Sequence, residues 1–359
     1  MIGFEAYSHQ GPGIFLTRLQ KALEKRGRFS LEEPDYWIQL SFQPLPDWIT
    51  ERQKAGKTKV VVRMDGCYCD RHHKIRKPFV LRVPVLDDWY SAKINRKKNA
   101  KIRENLLAAN DIIYQSEFSR AISQKFVTPA QSGHIIYNGV DLNEFSPEGP
   151  QHDIRLPGTV NILVSHSFRP YHRLHDSVRI LSRLVHETRQ AYHLHILGGD
   201  DGASFAYARN VADGLGLREG LHYTFHGKRP HNELASVYRA CDLMLNLSYW
   251  DSCPNVVIEA LACGLPVVGV NYGGVGELVS PSGGLLVDES IPFTWLLHRD
   301  FERMPKAPVE KYAQAVIQMQ GQLEESSRKA RVMAVKRFDI ETVCDQYLLA
   351  CPQTAGCPI

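Results

Sequence analysis

Short apolar runs rich in β-branched residues alternate with longer amphipathic stretches along most of the chain. Apolar runs of this length are typical of buried parallel strands, and the stretches between them have helical spacing. The alternation predicts βαβ units and therefore a doubly wound α/β fold. In the first half, we expect strands at residues 2–7, 36–40, 59–63, 111–115 and 133–136, and helices at 14–26, 91–109 and 117–125.

A second series of the same kind follows a polar, proline-rich segment at residues 146–158, which reads as a linker between domains. This series predicts strands at residues 160–165, 192–197, 222–226, 243–247 and 267–270, and C-terminal helices at 313–337 and 340–349. We therefore expect two Rossmann-like domains, 1–150 and 151–337. Two such domains that face each other bind ligands in a central cleft, at the carboxyl ends of their strands.

The stretch DSCPNVVIEALACGLPVV, residues 251–268, predicts a helix with chemistry at its amino end. Pro254 suits the first helical position, and Gly264 suits the C-terminal cap. Glu259 lies one turn after Asn255 on the same face. The backbone N–H groups of Asn255, Val256 and Val257 are suited to a phosphate, and the Glu259 carboxylate to a ribose diol.

Asp251, in the loop before this helix, is placed to bind hydroxyls of the group that is attached to the phosphate. A purely structural alternative has Asp251 and Ser252 capping the helix and Glu259 solvated. The segment HQGPG at residues 9–13 is a second candidate, because Gly11 and Gly13 allow close approach of a ligand to the backbone before a helix. Without further context a simple turn explains this segment better, and it is not the GxGxxG fingerprint of dinucleotide-binding enzymes.

Composition and charge describe an ordinary globular chain with one basic segment. The chain is 43% hydrophobic and 23% charged, with a net charge of +4. Residues 1–150 hold 23 Lys and Arg against 17 Asp and Glu, and most of the excess lies within 71–103. Such a patch suits an anionic acceptor or membrane surface, although a solvated helix face is the alternative. We expect no nucleic-acid partner.

Several sequence features favour the cytoplasm. The chain opens on a strand-like run without a signal-peptide pattern, and no apolar run is long enough to span a membrane. Eight scattered cysteines fit a reducing compartment. The run CYCDRHH (Cys67, Cys69, His72 and His73) collects metal-ligand types, but its spacing matches no usual zinc pattern. We therefore expect no metal site.

Five segments together resemble family 4 of the glycosyltransferases, which are retaining enzymes of the GT-B fold. The block YWDSCPNVVIEALACGLPVVGVNYGGVGELV resembles the family's E-x7-E signature region. In the right order, four others are similar to family segments: YSHQGPGIFLTRLQKALEKRG, ANDIIYQSEFSR, IIYNGVDLNEFSP and FHGKRPHNELASVYRACDLMLNLS. The resemblance spans roughly residues 1–285 and implies a nucleotide-sugar donor, an acceptor hydroxyl and no cofactor. It also implies that the C-terminal helix, about residues 338–359, packs back on the first domain.

The resemblance implies a role for several residues. Glu259 would bind the ribose, Asp251 would lie beside the donor sugar, and the backbone from Cys253 through Pro254 to Val257 would hold sugar hydroxyls and the distal phosphate. Gly11 and Gly13 would close over the diphosphate. In SHSFRPYHRLHD, residues 165–176, Arg169 and Arg173 would stabilise the departing diphosphate.

The sequence departs from the family pattern in three places. The first acid of the signature is Asp251 rather than Glu, and the histidine usual near the donor sugar is absent. The segment of Arg169 and Arg173 is spaced differently from the family's usual Arg and Lys, so the assignment of either arginine stays open. Arg63 and Asp65 stand near that place, and His9 is another candidate on the acceptor or sugar side; a buried ion pair is the alternative for Arg63 and Asp65. A nucleotide-sugar epimerase-like enzyme and a catalytically degenerate nucleotide-sugar-binding protein are the rival interpretations. We expect peripheral association with the inner face of a membrane.

Overall fold

The computed structural model describes residues 1–6, 12–68, 84–129, 132–200, 202–291, 301 and 304–352 of the chain. The chain divides into two compact units. Unit 1 consists mainly of Met1–Gly139 and Asp339–Ile359, and unit 2 of Val140–Pro292 and His298–Phe338. The chain passes between the units at residues 139–140 and 338–339. The proline-rich segment 146–158 therefore belongs to unit 2.

Unit 1 contains a parallel sheet in the order β1-β2-β3-β4-β5. Its strands are β1 (Ile2–Gly3), β2 (Tyr36–Leu40), β3 (Lys59–Met64), β4 (Asp111–Tyr114) and β5 (His134–Ile135). Its helices are α1 (Pro12–Lys25), α2 (Asp47–Lys54), α3 (Pro84–Ala108), α4 (Glu117–Phe126) and, from the C-terminal part of the chain, α12 (Ile340–Ala350).

Helix α12 packs against α1 within unit 1. Its buried residues Val343, Cys344 and Tyr347 share one hydrophobic cluster with Phe15 and the strands β1 and β2. The Tyr347 and Phe15 rings lie 5.9 Å apart. At the start of α12, the Asp339 side chain accepts a hydrogen bond from the amide of Glu341, which satisfies one of the unpaired N–H groups of the first turn.

Unit 2 contains a second parallel sheet, in the order β11-β10-β9-β6-β7-β8. Its strands are β6 (Val160–Ser165), β7 (Tyr192–Leu197), β8 (Tyr223–Gly227), β9 (Leu243–Asn246), β10 (Val267–Val270) and β11 (Gly284–Val287). The chain winds outward from β6 through β7 to β8, and then returns to the other side of β6 with β9. The strand order therefore reverses between β6 and β9, which makes this pair the topological switch point of the sheet.

Helices cover the unit 2 sheet, which explains why its central strands are buried throughout and mainly apolar. They are α5 (Leu174–Glu187), α6 (Ser204–Gly214), α7 (His231–Ala240), α8 (Asn255–Ala262), α9 (Gly273–Val279), α10 (Val309–Gln320) and α11 (Leu323–Phe338). A short 3₁₀ turn, Pro170–His172, precedes α5. None of the helices in the described ranges is long and apolar enough to cross a membrane.

The structure confirms the predicted α/β class with two parallel sheets and corrects several boundaries. The predicted helix 313–337 is two helices, α10 and α11, because the chain turns at Gly321 and Gln322. The predicted strands 2–7 and 133–136 each pair over only two residues. Helix α3 begins at Pro84, seven residues before its predicted start.

Candidate functional site

The carboxyl edge of the unit 2 sheet carries unpartnered polar atoms at its switch point. His166 follows the last residue of β6, Asn246 ends β9, and Ser248 lies two residues further on; all three are buried. Within the described ranges, no hydrogen-bond partner is found for Nε2 of His166, Nδ2 of Asn246 or Oγ of Ser248. Buried polar atoms normally have partners, so their concentration at one point indicates a place where a polar ligand binds.

His166 is held as a neutral imidazole by its surroundings. Its ring stacks on His172 with 4.2 Å between centroids and packs edge-on against Phe168. Burial lowers the pKa of His166 to about 3. Burial, His166 and the charge of Arg169 lower the pKa of His172, whose Nδ1 accepts a hydrogen bond from the Arg169 amide at 2.9 Å. The His166 ring therefore contributes a neutral hydrogen-bonding atom to the edge.

Helix α8 follows the loop after β9 and has the predicted caps, shifted by one residue. Pro254 is the N-cap residue and α8 begins at Asn255. Its carboxyl end is a Schellman motif: Gly264 has φ +71°, its amide donates to Leu261 O at 3.0 Å, and the Leu265 amide donates to Ala260 O at 2.9 Å. The sequence places these caps because proline and glycine supply the backbone angles that they need.

Glu259 is buried on α8, with only 2% of its surface exposed. Its Oε2 accepts a hydrogen bond from the Tyr238 hydroxyl at 3.1 Å, and its Oε1 lies 3.9 Å from His231 Nε2. Tyr238 also bonds to Ser165, the last residue of β6, so Glu259 lies close to the switch point. The solvated Glu259 of the purely structural alternative is wrong, because this side chain is buried, and the N-cap residue Pro254 makes no side-chain capping bond.

The Asp251 carboxylate lies in the loop between β9 and α8. Its Oδ1 accepts a hydrogen bond from the Cys253 amide at 3.2 Å. Burial raises the pKa of Asp251 to about 6, against the opposing effects of this amide and of the Arg169 charge. The loop touches the start of α9, since the Gly274 amide donates to Asp251 O at 2.8 Å. A Cβ atom on Gly274 would lie 2.2 Å from Ser252 O, so only glycine allows this approach.

The structure distinguishes between the backbone N–H groups that we expected to hold a phosphate. The amide of Cys253 donates to Asp251, and the amide of Val257 donates to Pro254 O at 3.1 Å within the first turn of α8. These two amides already have acceptors. The side chains of Asn255 and Val256 are partly exposed on the same turn.

The two predicted arginines have opposite environments. Arg169 is exposed and lies near Asp251. Arg173 is fully buried in a left-handed backbone conformation, φ 51°. Its Nη1 and Nη2 atoms pair with both carboxylate oxygens of Glu289 at 2.6 and 2.9 Å, and its Nε donates to Leu247 O at 2.9 Å. A diphosphate contact would require the Arg173 guanidinium to leave Glu289.

Arg63 and Asp65 form the buried ion pair that the sequence left as an alternative. The Arg63 side chain is 0% exposed and that of Asp65 is 8% exposed. Asp65 Oδ1 is bonded to Arg63 and Gln115, and Arg63 Nη2 donates to Asn138 Oδ1 at 2.6 Å. Asp65 Oδ2 is buried, and no hydrogen-bond partner is found for it among the described residues. Burial raises the pKa of Asp65 to about 6.

The other predicted residues of unit 1 fall at or beyond the limits of the described ranges. His9 and Gly11 lie outside them, while Gly13 is in the first turn of α1, where its carbonyl accepts a hydrogen bond from the Thr17 hydroxyl at 2.9 Å. Of the run CYCDRHH, only Cys67 and Tyr68 are described. Across the described part of the chain, no group of three His, Cys, Asp or Glu residues is placed to hold a metal ion.

Sequence reasoning did not identify several residues that shape this site. Tyr238, His231 and Glu289 contact Glu259 or Arg173 from positions 21, 28 and 116 residues away along the chain. His166 had one sequence signal, its position directly after a predicted buried strand. Tertiary contacts between such distant positions leave no local pattern in a single sequence.

Comparison with known proteins gives a family match for part of the chain. Residues 154–292 match the family model "Glycosyl transferases group 1". D-inositol 3-phosphate glycosyltransferases are among the curated relatives: the protein of Mycobacterium sp. (strain JLS) is 31% identical over 50% of this chain and 42% of its own length. The protein of Corynebacterium jeikeium (strain K411) is 30% identical over 45% of this chain and 41% of its own length. The chain thus aligns with less than half the length of these relatives.

Solved structures resemble the chain over nearly its whole length. Sucrose-phosphate synthase from Thermosynechococcus elongatus has a TM-score of 0.65, with 17% identity over 98% of this chain and 99% of that one. Anabaena Alr3699/HepE in complex with UDP and glucose has a TM-score of 0.63, with 16% identity over 98% of each chain. These neighbours establish the GT-B fold. The chain therefore has the GT-B fold, and its residues 154–292 match the glycosyl transferases group 1 family model.

Proposed function

We propose that the chain is a retaining glycosyltransferase that moves a sugar from a nucleoside diphosphate to an acceptor hydroxyl without a metal ion. The observation that carries the proposal is the buried Glu259 carboxylate, which lies beside a switch point that holds three unpartnered polar atoms. A carboxylate has about four acceptor positions, so Glu259 can accept both hydroxyls of a ribose diol in addition to its hydrogen bond from Tyr238. The family match of residues 154–292 supports the same assignment.

The donor would bind along the carboxyl edge of the unit 2 sheet. In this proposal, Glu259 accepts hydrogen bonds from the ribose hydroxyls. His166, Asn246 and Ser248 supply hydrogen bonds to phosphate or sugar oxygens, in keeping with their unpartnered atoms. Since a structural neighbour was solved with UDP and glucose, UDP and UDP-glucose are the first ligands to test.

The chemical step is a front-face displacement. The bond between the anomeric carbon and the phosphate oxygen breaks, and a bond to the acceptor oxygen forms on the same face. The acceptor proton passes to the departing phosphate oxygen. The exposed Arg169 guanidinium would stabilise the negative charge of the leaving diphosphate, and Asp251 would hold a hydroxyl of the donor sugar.

The acceptor proposal rests on α3, which has a strongly basic exposed face. Trp89 and Leu107 are each 59% exposed near its two ends. Six exposed basic residues lie between them: Lys93, Arg96, Lys97, Lys98, Lys101 and Arg103. A basic helix face with an exposed tryptophan suits an anionic lipid surface. We therefore expect an anionic or lipid-borne acceptor at the inner face of a membrane.

Product analysis tests the reaction. The chain would be incubated with UDP-glucose and a panel of anionic and lipid-linked acceptors, and the anomeric configuration of the product read by NMR. A product with retained configuration supports the proposal if Asp251→Asn no longer forms it and the matched surface variant Asp213→Asn still does. An inverted product refutes the retaining mechanism. Conversion of the free donor without an acceptor favours the epimerase, and nucleotide binding without any turnover favours the degenerate binding protein.

Vesicle sedimentation tests the membrane contact separately. Binding to vesicles with anionic phosphatidylglycerol should exceed binding to neutral phosphatidylcholine vesicles and should weaken with salt. The double variant Lys93→Glu and Lys97→Glu should lose this binding. The control is the same charge change on α11, Arg328→Glu and Lys336→Glu. Equal binding by both double variants would refute a specific role for α3.

A further inference from the structure

The first residue of α7, His231, lies between two carboxylates within unit 2. Its Nδ1 is 2.8 Å from Glu144 Oε1, and its Nε2 is 3.9 Å from Glu259 Oε1. The Phe145 ring packs edge-on against the imidazole, with 5.5 Å between centroids. The side chains of Glu144 and His231 are 35% and 36% exposed, whereas that of Glu259 is 3% exposed. The histidine therefore links a half-buried carboxylate to a buried one.

The charges around this histidine favour its protonated form. The carboxylates of Glu144 and then of Glu259 raise the pKa of His231 to about 9, against the effect of burial. On its own helix, Tyr238 faces the same Glu259, and the Arg229–Glu233 pair, 3.8 Å apart, lies in the adjoining turn. On α8, burial raises the pKa of the nearby Cys263 thiol to about 12, so this thiol stays neutral. Arg239 and Arg331 also act on Cys263, together with Glu259 and Glu144. Among the described contacts of Glu259, His231 is a cation 3.9 Å from its Oε1.

We propose that His231, oriented by Glu144, is a positioning residue that keeps Glu259 ionised and holds its carboxylate in place for the two ribose hydroxyls. The inference rests on the proposed nucleotide-sugar function and adds a regulator of donor affinity to it. Tyr238 fixes one oxygen of Glu259 with a neutral hydrogen bond. The cation opposite the other oxygen compensates the cost of burying the negative charge. Donor affinity should accordingly depend on the His231 proton.

The test is UDP affinity measured by calorimetry from pH 6 to pH 10. The native chain should bind best below pH 9 and lose affinity as the pH rises through about 9, where His231 loses its proton. His231→Asn should weaken binding at pH 7 roughly tenfold, which is the effect of losing one charge-assisted contact. The affinity of this variant should not fall further as the pH rises through about 9. Glu144→Gln should shift that loss to lower pH. His231→Lys, which keeps the charge, should restore affinity at pH 7 and shift the loss upward.

A matched control separates this effect from the titration of the nucleotide itself. His134→Asn removes a histidine that pairs with Asp111 at 3.0 Å in unit 1, and it should reproduce the native profile. Thermal unfolding of each variant verifies that it folds. If Glu259→Ala abolishes binding but His231→Asn keeps the native pH profile, the positioning role is refuted and the proposed function stands. If the native chain binds no nucleoside diphosphate, both the function and this inference fail.

Discussion

Replacement of Arg173 by methionine tests whether this arginine belongs to the folded core or to the ligand site. Methionine replaces the aliphatic stem of the side chain and removes its charged guanidinium. In the structure, the guanidinium pairs with both oxygens of Glu289, whose side chain is 3% exposed, and bonds to Leu247 O. The Tyr312 hydroxyl also donates to Glu289. The substitution therefore leaves a buried carboxylate without its cation.

Removing one partner of a buried ion pair costs about 3 to 5 kcal/mol of unfolding free energy, because the remaining charge is uncompensated. For a unit of roughly 190 residues, each kcal/mol lowers the melting temperature by about 2 to 4 °C. Arg173→Met should consequently lower the transition of unit 2 by roughly 6 to 20 °C. The double variant Arg173→Met, Glu289→Gln should recover much of this loss, since neither charge remains.

Differential scanning calorimetry measures this effect, with Arg169→Met as the matched control. Arg169 is exposed, so its replacement should change the unfolding free energy by less than about 0.5 kcal/mol while it weakens nucleotide-sugar turnover. The reasoning is refuted if Arg173→Met melts like the native chain and loses nucleotide binding. That result would mean that Arg173 contacts the diphosphate, as the resemblance of its segment to family 4 implied.

Two further substitutions test one residue in each unit. Burial raises the pKa of Asp65 to about 6. If its carboxylate binds an acceptor hydroxyl, the KM for the acceptor should rise as the pH falls below 6, and Asp65→Asn should abolish this dependence. An unchanged pH profile in the variant would exclude the role. Gly274→Ala should destabilise the chain by about 1 to 3 kcal/mol and weaken donor binding, because its Cβ meets Ser252 O at 2.2 Å. The control Gly214→Ala has open space around its Cβ and should be nearly neutral in urea unfolding; equal effects of both alanines would refute the close-approach argument.

The sequence predicts the strands best where both faces of the sheet are covered. Strands β2, β6, β7 and β10 begin and end at their predicted residues, because each is a fully buried and mainly apolar run. The short strands β1 and β5 pair over only two residues at either edge of the unit 1 sheet. There, local apolar character does not determine how far pairing extends.

The sequence predicts the residues of the site better than their partners. Glu259 and Asp251 were identified because a capped helix directly follows a buried strand, which is a local pattern. The burial of Glu259 under Tyr238 and beside His231, and the pairing of Arg173 with Glu289, depend on contacts between distant segments. Arg173 and Arg169 lie four residues apart, yet only the folded chain shows that one is buried and the other exposed.

Thermal stabilisation by nucleotides tests the central claim most directly. The native chain, Glu259→Ala and the surface control Glu310→Ala would be melted with UDP, GDP and ADP, and then with the matching nucleotide sugars. At a hundredfold excess over the dissociation constant, a ligand should stabilise the native chain and the control by about 2.7 kcal/mol, and Glu259→Ala should show no such gain. Stabilisation of all three chains alike would contradict the assigned role of Glu259. No stabilisation of any of them would contradict the nucleotide-sugar function.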